Sequence, residues 1–165
     1  MKKLVISKNI FILLILPFVL MATMCQGEDE NHHKSIRFTN NTDKAIYVIP
    51  SFAYPDTLNG TGMGRGGLNM PYKYKILPGT ENRDALRMRE FWEVIFSDER
   101  RIPSDTLMVY VFDAELLESQ TTNIVNTIIQ RYDLSLQDLQ YLNWTLTYPP
   151  SPNMSSIKMY PPYKE

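Results

Sequence analysis

The sequence predicts an α+β fold: an antiparallel, β-rich sheet or small sandwich with two or three short helices inserted before the C-terminal strands. Three observations lead to this prediction. Side chains alternate with a period of two over residues 36–39 and again over 46–49, residues 105–113 are almost continuously apolar, and residues 135–143 have helical spacing. Alternation with a period of two indicates half-buried strands, whereas apolar residues three and four positions apart indicate an amphipathic helix.

The first predicted element of the domain is a β-hairpin over residues 35–50. Ile36 and Phe38 alternate with polar neighbours, and a similar alternation returns in residues 44–50. The Asn/Asp-rich segment between them is typical of a turn, because asparagine tolerates left-handed backbone angles. Residues 51–70 are expected to be irregular, since they contain five glycines.

The later elements follow from local patterns. In chain order they are a strand at residues 72–77, a short helix at 85–96, a central strand at 105–113, helices at 122–132 and 135–143, a closing strand at 144–148 and an edge strand at 156–160. The first helix would place Met88, Phe91, Trp92, Ile95 and Phe96 on one side. The apolar run of the central strand indicates that both of its faces are covered. Ser135 is a suitable N-cap for the last helix.

Residues 1–24 have the layout of an export signal. Three lysines come first, and residues 10–24 then carry no charge. A basic start followed by an apolar run of this length is typical of a secretory signal peptide. A membrane-spanning helix needs about 20 apolar residues, so the run is short for that purpose, and Pro17 interrupts it.

Cys25, the only cysteine of the chain, directly follows this run. The junction resembles the bacterial lipoprotein box, although Ala22 and Met24 stand where that motif prefers a leucine and a small residue. The resemblance implies that Cys25 is acylated and that acyl chains anchor the protein in a membrane. Cleavage by the ordinary signal peptidase after Gly27, or a retained anchor, is the alternative.

Residues 25–34 are predicted to form an acidic tether, and residues 35–165 a single globular domain. The acidic residues 28–30 resemble the export tag of surface lipoproteins in the Bacteroidota, but a plain solvated tether explains them equally well. Since residues 1–24 hold three lysines and no acidic residue, the rest of the chain carries 14 basic and 18 acidic side chains, a net charge of −4. No basic stripe is present, which argues against a nucleic-acid partner.

The domain lacks the residues of most catalytic and metal sites. His32 and His33, the only histidines, lie in the predicted tether, and no histidine or cysteine follows them. A Ser–His–Asp or Cys–His system cannot be assembled there, and no metal or cofactor site is predicted. Residues 62–67 match GxGxxG, but no strand precedes them and no helix follows, so an exposed loop is the better interpretation.

A pair of carboxylates acting as a glycan hydrolase is the remaining enzymatic hypothesis. The available carboxylates are Asp56, Asp105, Asp113, Glu115, Asp133 and Asp138. Most of them stand where a turn or the start of a helix already accounts for an acidic residue. Enzymatic function is therefore not favoured.

Aromatic side chains offer a non-enzymatic alternative, because aromatic faces stack on sugars and prolines. Tyr54, Trp144 and Tyr160 lie in aromatic segments rich in proline, and Arg65 lies at the centre of the glycine-rich loop. These four residues are the candidate ligand-binding residues, with a glycan or an envelope protein as partner. Packing in the core or over a sheet edge is the alternative role for such aromatics.

Three segments, residues 40–57, 106–113 and 131–150, resemble a group of small Bacteroidota lipoproteins of unknown function. The string RYDL…DLQ…NW…YPP in the last segment is the most specific part. The resemblance implies an envelope location, in the outer membrane and with surface exposure left open, but it brings no activity or ligand. The leading hypothesis is a lipid-anchored binding or scaffolding module.

Overall fold

This computed structural model describes residues 27–55, 72–119 and 124–164. The chain divides into two units, Met1–Asn31 and His32–Glu165. The described part of the second unit holds strands β1 (Ser35–Asn40), β2 (Ile46–Ser51), β3 (Lys75–Ile76), β4 (Glu81–Arg87), β5 (Leu107–Asp113), β6 (Ile128–Leu134), β7 (Thr145–Tyr148) and β8 (Lys158–Tyr160). Its helices are α1 (Trp92–Ser97), α2 (Ala114–Ser119) and α3 (Leu136–Tyr141), with single 3-10 turns at Tyr72–Tyr74, Ile124–Thr127 and Pro152–Met154. The predicted α+β, β-rich fold is confirmed.

The strands form two sheets. The smaller has the order β4-β1-β7, and the larger has the order β3-β2-β5-β6-β8. Neighbouring strands are antiparallel except β1 and β7, which are parallel. Leu107 through Phe112 of β5 are all buried, and β5 lies at the centre of the larger sheet. The predicted central strand is therefore confirmed, as is the edge strand at the C-terminus, which is β8.

The predicted hairpin over residues 35–50 is wrong, because β1 and β2 lie in different sheets. The buried side chain of Asn40 holds the crossing between them. Its amide donates to the carbonyl oxygens of Lys44 at 2.7 Å and Ile76 at 3.2 Å, and its Oδ1 accepts from the backbone N–H of Thr42 at 3.0 Å. Alternation shows which residues face the core, but it does not show which strands pair.

Two predicted helices are also corrected. Residues 85–96 were predicted as one helix, but most of them belong to the end of β4 or the start of α1. Trp92, Ile95 and Phe96 are buried as expected. Residues 122–132 contain a 3-10 turn and then β6, which pairs with β5 and β8 on its two sides. Hydrogen bonds to two neighbouring strands outweigh the local helical spacing of this segment.

The last predicted helix is confirmed as α3, and Ser135 caps it. The Ser135 Oγ accepts from the backbone N–H of Asp138 at 3.2 Å, while the Asp138 Oδ2 accepts from the backbone N–H of Ser135 at 2.8 Å. This reciprocal capping box satisfies two backbone donors at the helix start. The predicted closing strand at residues 144–148 is present as β7.

The two sheets share the main core. Phe38 of β1 and Leu146 of β7 pack in the same buried cluster as Val109 of β5 and Tyr132 of β6. The Tyr132 hydroxyl also donates to the carbonyl of Thr147 at 2.8 Å, which joins the larger sheet to the smaller one. The larger sheet has a second cluster, formed by buried residues of β2, β5 and α2: Tyr47, Ile49, Met108, Tyr110, Phe112, Ala114 and Leu117. Because side chains alternate along strands, this cluster lies on the face turned away from the main core.

Candidate ligand-binding site

Strand register places a polar group at one end of this second face. Two rows of residues cross the larger sheet from β2 through β5 and β6 to β8: Ile49, Tyr110, Arg131 and Tyr160 in the first, and Ser51, Met108, Asp133 and Lys158 in the second. Each row is uncharged on β2 and β5 and has a charged residue on β6, and the second row has another, Lys158, on β8. The cross-strand neighbours at this end lie close enough to interact directly.

A buried ion pair lies on β6. Arg131 Nη2 donates to Asp133 Oδ2 at 2.9 Å, and Arg131 Nε lies 2.8 Å from Asp133 Oδ1. The Asp133 side chain is only 1% exposed. The Nε and Oδ1 atoms are buried and close but not aligned for a hydrogen bond, so the Nη2–Oδ2 hydrogen bond is the aligned contact of the pair. A carboxylate so deeply buried needs a cationic partner.

Lys158 of β8 lies opposite Asp133, and its position is fixed by several contacts. Its Nζ is 3.6 Å from Asp133 Oδ2 and donates to the Tyr54 hydroxyl at 2.7 Å. The same Nζ lies 5.0 Å from the centroid of the Tyr54 ring. The hydrogen bond to Tyr54 raises the pKa of Lys158 above its ordinary value. Because the side chain is still 53% exposed, Lys158 is an accessible cation held in one place.

Tyr160, also on β8, lies opposite Arg131 and is 48% exposed. The Arg131 guanidinium is 4.3 Å from the centroid of the Tyr160 ring, a cation–π arrangement that orients the ring. We name Tyr54, Arg131, Asp133, Lys158 and Tyr160 the edge cluster. Its members come from three separate parts of the chain.

An open groove of about 610 Å³ adjoins the edge cluster. We name it the β8 groove, and its lining residues are Ser155, Ile157, Lys158, Met159, Tyr160, Pro162 and Tyr163. Lys158 and Tyr160 thus belong to both the groove and the edge cluster. The groove has the size of known small-ligand sites, which enclose about 300–1,000 Å³.

The structure brings together two of the four predicted ligand-binding residues, Tyr54 and Tyr160. Trp144, the third candidate, is not on this surface and has the alternative role, packing in the core. It is 5% exposed, belongs to the main core and stacks on His33, with ring centroids 4.2 Å apart. Arg65, Cys25 and the glycine-rich loop at residues 62–67 lie outside the described residues.

The two histidines also differ from their predicted role in a tether, because both pack on the domain. His33 Nδ1 lies 2.7 Å from Glu93 Oε1, and the His33 carbonyl accepts from the backbone N–H of Trp92 at 2.7 Å. His32 lies against the ring of Phe91. The segment that enters β1 is therefore attached to α1 before the first strand begins.

Three other carboxylates considered for a hydrolase pair contact neighbouring groups. Asp113 Oδ1 accepts from the backbone N–H of Leu116 at the start of α2, and Asp138 completes the capping box of α3. Glu115 lies 3.9 Å from Lys44. Within residues 27–55, 72–119 and 124–164, no three His, Cys, Asp or Glu side chains come together as metal ligands. In the same ranges no helix has the length and apolar character to cross a membrane.

Arg131 and Lys158 were not predicted as site residues, and Asp133 was considered only as one carboxylate of a hydrolase pair. The sequence carries a signal for them, since Arg131 and Asp133 are two apart, as are Lys158 and Tyr160, and strand residues two apart share a face. The prediction of a helix through residue 132 hid this spacing. The chain matches no known protein-family model, no curated protein and no solved structure. The edge cluster must therefore be interpreted from its own chemistry.

Proposed function

We propose that this chain is an exported, lipid-anchored envelope protein whose domain binds a ligand, without transforming it, at the edge cluster and the β8 groove. Residues 1–24 and Cys25 support the export and the anchor through the pattern of the signal peptide and the lipoprotein box. The binding proposal rests on one observation. Lys158 and Tyr160 are about half exposed beside a groove, yet each is held by buried or half-buried neighbours.

Such preorganisation favours binding. A surface lysine ordinarily loses rotamer freedom when it engages a ligand, which costs about 0.5–1.5 kcal/mol per side chain. The contacts of Lys158 with Tyr54 and Asp133 have already removed much of that freedom. Arg131 restrains Tyr160 in the same way. The groove beside them presents an aromatic face and a cation to one ligand.

The edge cluster supports binding better than hydrolysis by a carboxylate pair. A glycoside hydrolase needs two carboxyl groups about 5–10 Å apart, each free to meet the sugar. Asp133, the carboxylate of the edge cluster, is 1% exposed and is engaged by Arg131 and Lys158. It is therefore placed to hold other side chains and does not face a ligand.

Binding is tested with the processed protein, as it is purified from the cells that express it. The protein is applied to an array of immobilised neutral and acidic oligosaccharides and extended peptides, and sugar release is measured in parallel. We expect retention on at least one class of ligand without release of sugar. Tyr160→Ala should weaken that retention at least tenfold, whereas Tyr141→Ala, at a tyrosine of α3 that is 69% exposed, should leave it unchanged.

Two results would contradict the proposal for the domain. One is sugar release that Asp133→Asn abolishes, which would indicate the hydrolase. The other is retention that is equal in the wild type and the Tyr160→Ala variant, which would place the site elsewhere.

The anchor is tested by the intact mass of the protein recovered from membranes. A mass that lacks residues 1–24 and includes acyl chains is expected, since acylation at Cys25 precedes cleavage before it. Cys25→Ala should release the protein from the membrane fraction. An unmodified soluble product that starts after Gly27 would refute the anchor and leave the binding proposal standing.

A further inference from the structure

We propose that the ligand of this site is an acidic saccharide, whose carboxylate pairs with Lys158 and whose ring stacks on Tyr160. This inference rests on the proposed function and specifies its ligand class. It follows from which charges of the edge cluster are buried and which are exposed.

The edge cluster contains two cations and one carboxylate, but they are not equally accessible. The Asp133 side chain is 1% exposed and the Arg131 side chain 14%, so this pair is largely neutralised inside the sheet face. The Lys158 side chain remains 53% exposed. The charge that the cluster presents to solvent is therefore positive. This contrasts with residues 25–165 as a whole, which carry a net charge of −4. Charge complementarity favours an anionic ligand at this position.

Lys158 retains hydrogen-bonding capacity for such a ligand. An ammonium group has three donors. The Tyr54 hydroxyl accepts one of them at 2.7 Å, whereas Asp133 Oδ2, at 3.6 Å, is too distant for a good hydrogen bond. Donors of Lys158 thus remain for a carboxylate, and charge-assisted bonds of this kind are the stronger ones in proteins.

Tyr160 provides the second half of the site. Its ring is half exposed and lines the same groove as Lys158, whose Nζ lies 6.0 Å from the ring centroid. A pyranose ring stacked on the tyrosine would carry an exocyclic carboxylate toward the lysine. The combination of a flat apolar face with an adjacent cation fits a uronic acid residue better than a neutral sugar.

Addition of a peptide strand to the free edge of β8 is disfavoured. The strand has only three residues, Lys158–Tyr160, and Pro161 and Pro162 follow it directly. Short edge strands with lysine and proline are a common means by which proteins prevent strand addition. The side chains of β8, more than its backbone, therefore contact the ligand.

The test uses titration calorimetry on the processed full chain with three pairs of probes. Each pair is an acidic trisaccharide and its carboxyl-reduced counterpart: a trimer of galacturonate, one of mannuronate and one of glucuronate. We expect at least one acidic trimer to bind about tenfold or more tightly than its reduced form, as a charge-assisted hydrogen bond implies. Lys158→Gln should abolish that preference, because it weakens the acidic form far more than the reduced form. Tyr160→Ala should weaken both forms.

Lys44→Gln, at an exposed lysine near Glu115, is the matched control and should keep the preference. The inference fails if no acidic trimer is preferred over its reduced form. It also fails if Lys158→Gln and Lys44→Gln reduce the preference equally, because a diffuse charge effect would then explain it. If the acidic and reduced trimers bind equally and Tyr160→Ala weakens both, the proposed function stands without the ionic specificity. If no probe on the array binds through Tyr160, the proposed function fails as well.

Discussion

The two edges of the larger sheet carry the same three chemical groups in opposite arrangements. On the β3 side, Tyr47, Lys75 and Glu118 form what we name the β3 cluster: the Tyr47 hydroxyl donates to Glu118 Oε1 at 2.7 Å, and Lys75 Nζ pairs with the same oxygen. There the tyrosine is buried and the carboxylate is 48% exposed. On the β8 side, the carboxylate of Asp133 is buried, while the lysine and Tyr160 are exposed.

The position of the carboxylate decides what each edge presents to its surroundings. An exposed Glu118 beside Lys75 leaves a charge-balanced pair at the β3 edge. A buried Asp133 supports the β8 edge from within and leaves the cation and the aromatic ring outside. Similar side chains thus leave a charge-balanced pair at the β3 edge and an exposed cation and aromatic ring at the β8 edge. The predictions that follow test this contrast, from the largest expected effect to the smallest.

Asp133→Asn should destabilise the protein most. It leaves Arg131 without its anionic partner; the loss of one member of a fully buried pair costs about 3–5 kcal/mol. Because Arg131 and Lys158 are both reached by water, we expect about 2–3 kcal/mol here. Urea unfolding at pH 7 measures the change. Glu118→Gln, at the exposed carboxylate, should cost under about 1 kcal/mol, and equal losses at the two edges would contradict the contrast.

Tyr47 should make the stability of the protein depend on pH in the alkaline range. Burial, with help from the Glu118 carboxylate, raises the pKa of Tyr47 from 10.0 to about 12. A group whose pKa is raised on folding contributes stability that is complete below its unfolded pKa and is lost as the pH rises through the folded value. Stability should therefore fall between pH 10 and pH 12, with about 1.4 kcal/mol lost by pH 11, the middle of that range.

In Tyr47→Phe, that loss should disappear, and unfolding curves at pH 8 and pH 11 measure it. Tyr141→Phe, at an exposed tyrosine, serves as the control and should follow the wild type. If Tyr47→Phe loses as much stability at high pH as the wild type, the buried hydroxyl is not the cause.

Lys158→Gln should change stability little, since exposed ion pairs contribute little. Its effect should appear in ligand binding instead, which separates recognition from folding at the β8 edge. Lys75→Gln should also cost little, but it should leave binding of the acidic trimers unchanged. Parallel unfolding and calorimetry on both variants provide the comparison, and a loss of binding in Lys75→Gln would overturn the assignment of the site to β8.

The smallest effect concerns the titration of Glu118. The hydrogen bond from Lys75, followed by that from Tyr47, lowers the pKa of Glu118 below its ordinary 4.5. Its contribution to stability is therefore present above pH 4.5 and is lost as the pH falls through the lower folded value. Lys75→Gln should raise the pKa of Glu118, as observed by NMR of the side-chain carboxyl, whereas Lys158→Gln should not.

Local chemistry accounts for the parts of the fold that the sequence predicts well. The apolar run of β5 requires cover on both faces, and Ser135 caps α3 through groups only three residues away. Both depend on neighbours in the chain. The partners of β1 and the strand β6 depend instead on hydrogen bonds to distant segments, which periodicity does not encode.

The site follows the same division. Tyr54 and Tyr160 were predicted from their aromatic surroundings, and the structure places them together. Arg131 and Asp133 can be recognised as site residues only from the pairing of β6 with β8. That register places Arg131 opposite Tyr160 and Asp133 opposite Lys158. Trp144 shows the converse, since an aromatic segment of the same kind lies in the main core. Composition identifies aromatic residues that could bind a ligand, and strand pairing decides which of them are exposed to solvent.

The placement of β1 between β4 and β7 has a mechanical consequence. Ladder hydrogen bonds run across the strands, so a pull along β1 strains the bonds to both neighbours together, in shear. His33, fastened to α1 just before the strand, adds a further contact on the same path. Under the proposed anchor and ligand, tension would enter at β1 and leave at β8, so it would cross from the smaller sheet to the larger one. The hydrogen bonds of β1 would then have to break together, so the domain would resist unfolding from its N-terminal end.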